Sequence, residues 1–160
     1  MFHHDGPPMM LNKGFFHESG NILKLFEIVF GLLAAVFNSL CYPNEDIQHC
    51  SVTLFSSFQL FQIMVVNLFC AFFTTLITVA IAFGVYDAYY RYNFPILERM
   101  LTTLFALLYL LATSISVIEV AATHVIPVFL FPLAFTVITF LAYAYDAHLQ
   151  WKNRDKHIRY

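Results

Sequence analysis

Charge is scarce in this chain. Of its 160 residues only 11% are Asp, Glu, Lys or Arg while 60% are hydrophobic, too little polar material to cover a water-soluble globule of this size. Cysteine is limited to three residues, which excludes a disulfide-dense secreted scaffold. There is no CxxC pair for thiol oxidation, no GxSxG turn to present a nucleophile, and no acidic cluster suited to phosphate transfer. Haem in a helical bundle wants histidines facing one another, but His124 and His148 lie toward opposite surfaces and His3, His4, His17, His49 and His157 fall in loops or tails. Cys41, His49 and Cys50 have the spacing of no standard zinc site. Motifs for myristoylation, prenylation and asparagine glycosylation are missing, as is an apolar signal region ahead of the first long apolar run. The expectation is a protein that is not an enzyme, with no catalytic residue, no cofactor, no metal and no small-molecule substrate. A net charge of −2 nominates no nucleic-acid partner.

What the chain does have is long apolar sequence, with 19 phenylalanines and a mean hydropathy of +0.71. A membrane span needs about 20 apolar residues to cross a hydrocarbon core of about 30 Å. Four segments qualify, at about 22–40, 61–85, 97–123 and 125–145. Pro43, Asn44 and two acids stop the first, and only "THVIP" separates the last two, which forces a hairpin. The expected fold class is an all-α membrane protein, a four-helix transmembrane bundle, antiparallel, with both termini cytoplasmic. Residues 1–20 form an N-terminal tail, 21–150 the four-span domain and 151–160 a basic C-terminal tail.

The orientation follows from where lysine and arginine are missing. Neither the loop after the first span nor the one after the third contains any, whereas Lys13 and Lys24 lie at the amino end, Arg91 and Arg99 flank the middle turn, and Lys152, Arg154, Lys156 and Arg159 follow the last span. Positive charge stays cytoplasmic when loops are short, so both termini and the middle turn face the cytoplasm and the first span acts as an uncleaved signal anchor. Tyr143, Tyr145 and Trp151 suit the headgroup zone, with Asp146 marking the exit of the fourth span and the four basic residues beyond it facing anionic lipid.

Ionisable and polar residues within spans invite functional hypotheses. Lys24 and Glu27, at i and i+3, can pair on one helix. Glu119, about a turn inside the outer end of the third span, has no Lys or Arg on its side. It can snorkel, hydrogen-bond within the bundle or serve a cation path. Gln59, Gln62 and Asn67 on the second span are candidates for interhelical hydrogen bonds. Gly31 with Ala34 and Ala35, and Ala80 with Gly84, permit close backbone approach. Cys70 reads as a small buried apolar residue; Cys41 and Cys50 bracket the first outer loop and are a disulfide candidate, with free or intermolecular thiols as the alternative.

With the spans laid out, "ILKLFEIVFGLLA" in the first, "LFALLYLLATSISVIEVAA" in the third and above all "FLAYAYDAHLQWKNR" at the end of the fourth resemble the MARVEL family of four-helix membrane proteins. Lys24, Glu27 and Gly31 match its first helix, Glu98 the entry to its third, and Asp146 the exit of its fourth. The outer loops are short, the third lacks cysteine, and no long cytoplasmic tail of the junctional kind is present. The resemblance implies non-catalytic work in vesicle trafficking, membrane apposition or fusion, or cell junctions. The location it implies is the plasma membrane or secretory and endosomal vesicles. Membrane lipids and other membrane proteins, or further copies of the chain, are the expected partners. That organiser reading expects a polar-poor interior. The alternative is a small transporter, channel or accessory channel subunit in which Glu119, Gln62 and Asn67 line a path.

If Cys41 and Cys50 are bridged, a maleimide labels a single thiol per denatured, unreduced chain and three after reduction. Three labelled thiols without reduction would remove the bridge.

Overall fold

The computed structural model describes residues 15–17, 19–40, 62–84, 94–123 and 126–153, with backbone alone for 40, 63, 64, 119, 122, 123 and 126–129. Among these, every regular element is helical. A 3-10 turn at Phe15–His17 leads into α1, Ser19–Leu40. Helix α2 starts as a π-helix over Gln62–Phe69 and continues as an α-helix over Cys70–Ala82. Helix α3 runs Phe94–Thr123 and α4 Ile126–Lys152. All four are long and apolar enough to cross a membrane.

Local chemistry sets several of the ends. Pro95 and Pro127 each sit at the second residue of a helix, where a missing N–H costs nothing and a fixed φ favours the first turn. Gly84 closes α2 at φ 66, a left-handed conformation that a Cβ would strain, with its N–H donated to the Ile81 carbonyl at 3.1 Å. Its role is thus to end the helix. The 3-10 turn is held to α1 by Asn21 Nδ2, which donates to the Phe15 carbonyl at 3.1 Å.

Each helix turns a narrow stripe inward at spacings of three and four residues, the period that keeps one face of a helix against its neighbours. On α3 the stripe is Thr102, Phe105, Tyr109, Ala112 and Ser116; on α4 it is Thr136, Thr139, Tyr143 and Asp146. On α1 it runs Asn21, Lys24, Glu27, Gly31, Ala34 and Asn38. The outward faces carry the large apolar side chains, among them Leu107, Leu111, Ile118, Phe72, Phe131 and Leu141.

The interior is therefore not polar-poor as the sequence suggested. Among the described residues, thirteen buried ones are polar or charged against eleven that are hydrophobic. Lipid tails are as apolar as leucine, so nothing drives Leu and Phe inward, whereas a polar group facing hydrocarbon would be left unsatisfied. Hydroxyls on outward or partly covered positions meet the same demand within their own helix. Thr75, Thr103 and Ser114 donate to the carbonyls of Ala71, Arg99 and Leu110 at 2.7, 2.8 and 2.8 Å.

At the centre, Tyr109 and Tyr143 stack with ring centroids 5.2 Å apart, Phe105 meets Tyr143 edge-on at 5.8 Å, and the Tyr143 hydroxyl shares a 2.7 Å hydrogen bond with Thr74 of α2. Along α1, Lys24, Phe30 and Phe37 meet Asp146, Phe135 and Phe131 of α4 in turn. Gly31 admits the Tyr109 ring: a Cβ there would lie 3.1 Å from the Tyr109 hydroxyl oxygen, itself without a hydrogen-bond partner.

Gly31→Ala should consequently be less favourable, by about 1–3 kcal/mol of overpacking, in the native background than beside Tyr109→Phe, which removes the oxygen it would press on. Unfolding in bicelles, followed as a two-by-two cycle, measures the difference. Equal effects in both backgrounds would mean that the hydroxyl is not what holds this position to glycine.

Candidate functional site

Among the described residues, the strongest concentration of charge lies where the start of α1, the start of α3 and the end of α4 come together. Lys24 is 3% exposed, and its Nζ lies 2.6 Å from Asp146 Oδ2 and 2.8 Å from Glu98 Oε1. Asp146 and Gln150, at i and i+4, occupy one face of α4. Gln150 Nε2 donates to Asp146 Oδ2 at 2.9 Å and to Thr102 Oγ1 at 3.2 Å, and lies 3.4 Å from Glu98 Oε1. One ammonium and one amide thus tie a carboxylate of α3 to a carboxylate of α4 and both to α1. Glu27, one turn deeper on α1, is 1% exposed and within electrostatic reach of Lys24, Asp146 and Glu98, but its Oε1 has no hydrogen-bond partner.

Such a cluster is costly to assemble and costlier to break. Desolvating each ion costs several kcal/mol, recovered only with close geometry and further hydrogen bonds, whereas removing one partner strands the other charge. The arrangement offers no nucleophile beside a base. Among the described residues, no group of three or more His, Cys, Asp or Glu is arranged to hold a metal ion, and the cluster's cation is Lys24 itself.

The ion pairs differ from those expected. Spacing suggested a Lys24–Glu27 pair along α1, but the lysine reaches across to α3 and α4 instead. Asp146, expected at the exit of the fourth span, is 1% exposed within a helix that runs on to Lys152. Tyr143, expected in the headgroup zone with Tyr145 and Trp151, is buried in the core, while Tyr145 and Trp151 are exposed. Gln150 and Thr102 were not singled out at all. The signal that would have found them is the three-and-four register of each helix, through Thr136, Thr139, Tyr143, Asp146 and Gln150 on α4 and through Thr102, Phe105, Tyr109, Ala112 and Ser116 on α3.

The remaining sequence candidates are spread along the molecule. Gln62 is buried and donates from Nε2 to Thr136 Oγ1 at 3.3 Å, while its Oε1 accepts from Ser116 Oγ at 3.3 Å, so α2 is joined to both α4 and α3. Asn67 is fully buried with neither side-chain atom hydrogen-bonded. Cys70 is a buried free thiol. Glu119 belongs to α3, with its side chain outside the described part. Lys152 is exposed at the end of α4. Gln59, Cys41, Cys50, Arg154, Lys156 and Arg159 lie outside the described residues. Comparison with family models, curated proteins and solved structures gives no match to this chain.

Replacing Lys24 by Met removes the ammonium that Asp146 and Glu98 share, a loss of about 3–5 kcal/mol. Gln62→Leu, which removes neutral interhelical hydrogen bonds, should cost only about 0.6–2 kcal/mol. Unfolding by SDS titration in bicelles ranks the two. A Lys24→Met variant as stable as the native chain would show that the cluster does not hold the helices.

Proposed function

We propose that the chain is a non-catalytic multi-pass membrane protein of the MARVEL kind. It organises membranes in vesicle trafficking, membrane apposition or fusion, or cell junctions, at the plasma membrane or on secretory and endosomal vesicles. Its helices form an antiparallel bundle with both termini cytoplasmic, and its partners are lipids and other membrane proteins, itself included. The order of contacts between α1 and α4 supports the antiparallel arrangement. The three described basic residues, Lys24, Arg99 and Lys152, gather at one end of the molecule through the Lys24–Asp146 pair and the Arg99–Trp151 contact, which supports a single cytoplasmic face.

The observation that carries the reading is the use made of the buried charges. Lys24 is engaged by carboxylates of two other helices, so its ammonium fastens the bundle, and what the molecule offers to partners is its apolar outer surface and its ends. Gln62, a candidate for a conducting path, is likewise occupied on both side-chain atoms. Two observations favour the transporter or channel reading: the interior is rich in polar side chains where the organiser reading expects few, and Glu27 Oε1 and both polar atoms of Asn67 are buried without partners along the inner seam.

Two measurements test these statements. In vesicles reconstituted with the purified chain, the organiser reading expects no ion flux above protein-free controls; a flux that Glu119→Gln or Asn67→Ala abolishes would transfer the assignment to transport. In sealed, right-side-out cells, external protease should leave the last ten residues intact, and their cleavage would reverse the orientation. Localisation by a cytoplasmic tag then separates vesicular, junctional and plasma-membrane roles.

A further inference from the structure

The geometry points to a binding site for the phosphate of an anionic phospholipid, formed by Arg99 on the face of Trp151. The inference rests on the membrane-spanning reading and on this end facing the cytoplasmic leaflet. The Arg99 guanidinium carbon lies 5.3 Å from the centroid of the Trp151 ring. That ring is held at its edge: its Nε1 donates to Thr103 Oγ1 at 3.1 Å, and the Thr103 hydroxyl donates to the Arg99 carbonyl at 2.8 Å. Thr103, one turn after Arg99 on α3, thereby holds the indole of α4 beneath the arginine.

A guanidinium held over an aromatic ring is attracted through the ring's face and still has N–H groups to donate. Arg99 pairs with no carboxylate among the described residues. Its neighbour Glu98 is bound to Lys24, and with Arg99 Nε buried the donors left for an incoming anion are the two terminal Nη groups. A planar fork of donors matches the two oxygens of a phosphate. Lys152, the residue after Trp151, is exposed on the same turn of α4 and adds a second positive charge, which favours a headgroup of net negative charge.

The surroundings choose a lipid over a soluble phosphate. Ile96, one turn before Arg99, and Met100, the residue after it, are 53 and 63% exposed, an apolar surface suited to acyl chains beside the anion site. Tryptophan with one polar atom satisfied and its ring half exposed is a typical occupant of the headgroup level.

Trp151 is the chain's one tryptophan, so its emission reports on this site alone. The full chain is reconstituted in vesicles containing equal small fractions of phosphatidylserine or phosphatidylcholine brominated near the headgroup. Quenching by the serine lipid should show an about fivefold preference, corresponding to the ~1 kcal/mol of one basic side chain at an anionic surface. Arg99→Gln should abolish that preference and Arg99→Lys, which keeps charge without the fork, should reduce it. Should Arg99→Gln fail to fold, phenylglyoxal modification of Arg99 in the native chain gives the same answer, phosphatidylserine protecting it and phosphatidylcholine not. Equal quenching by both lipids, a preference unchanged in Arg99→Gln, or its loss on adding millimolar inorganic phosphate would overturn the site. Absence of quenching by either lipid would overturn the membrane-spanning reading beneath it.

Discussion

A single buried ammonium shared by two carboxylates is the constraint on which the rest of this structure depends. Lys24 sits on Asp146 and Glu98, residues from two other helices and far away in sequence. A buried charge without a partner is so unfavourable that α1, α3 and α4 must arrive in the register that brings these three groups together. Hydrophobic burial cannot set that register where the surroundings are as apolar as the side chains. The ion pairs also fix which residues lie on the inner stripes, because the three-and-four spacing carries the choice made at Lys24 and Asp146 along each helix to Gly31, Ala34 and Asn38 and to Tyr143, Thr139 and Thr136.

The same solvent argument explains the polar layers farther along the molecule. The Tyr143–Thr74 bond and the Gln62 links to Thr136 and Ser116 join α2 to the other helices by groups that have no better partner in lipid. Gly31 on α1 lets Tyr109, which stacks on Tyr143, approach, so close contact and polar satisfaction occur at the same level. Glu27, Asn67 and Tyr109 are among the residues that keep buried polar atoms without partners in this interior. They mark the part of the seam where packing alone gives no reason for a polar residue.

Much of the architecture could be read from composition. The four apolar segments were legible because about 20 residues of uninterrupted hydrophobicity are hard to place anywhere but across a bilayer. Their ends were less so: α4 continues through Asp146 to Lys152, since an acid ends a span only when it faces lipid, and this one faces a lysine. Cys70 and the polar residue Gln62 could be assigned to the interior because hydrocarbon leaves them little choice. The candidate site was half legible. Lys24, Glu27, Glu98 and Asp146 each stood out as an ionisable residue at a span, but nothing local in the chain matched them to one another.

What the sequence determined by itself is the class of object, four apolar helices with basic residues excluded from alternate connections, because hydrophobic length and charge placement act within each segment separately. What only the tertiary structure decided is pairing: that Lys24 answers to Asp146 and Glu98 and not to Glu27, that Tyr143 faces inward, and that Arg99 lies on Trp151. These depend on the rotation and depth of one helix against another. Side chains more than a hundred residues apart settle such geometry jointly, through electrostatics and packing that no single stretch of chain contains.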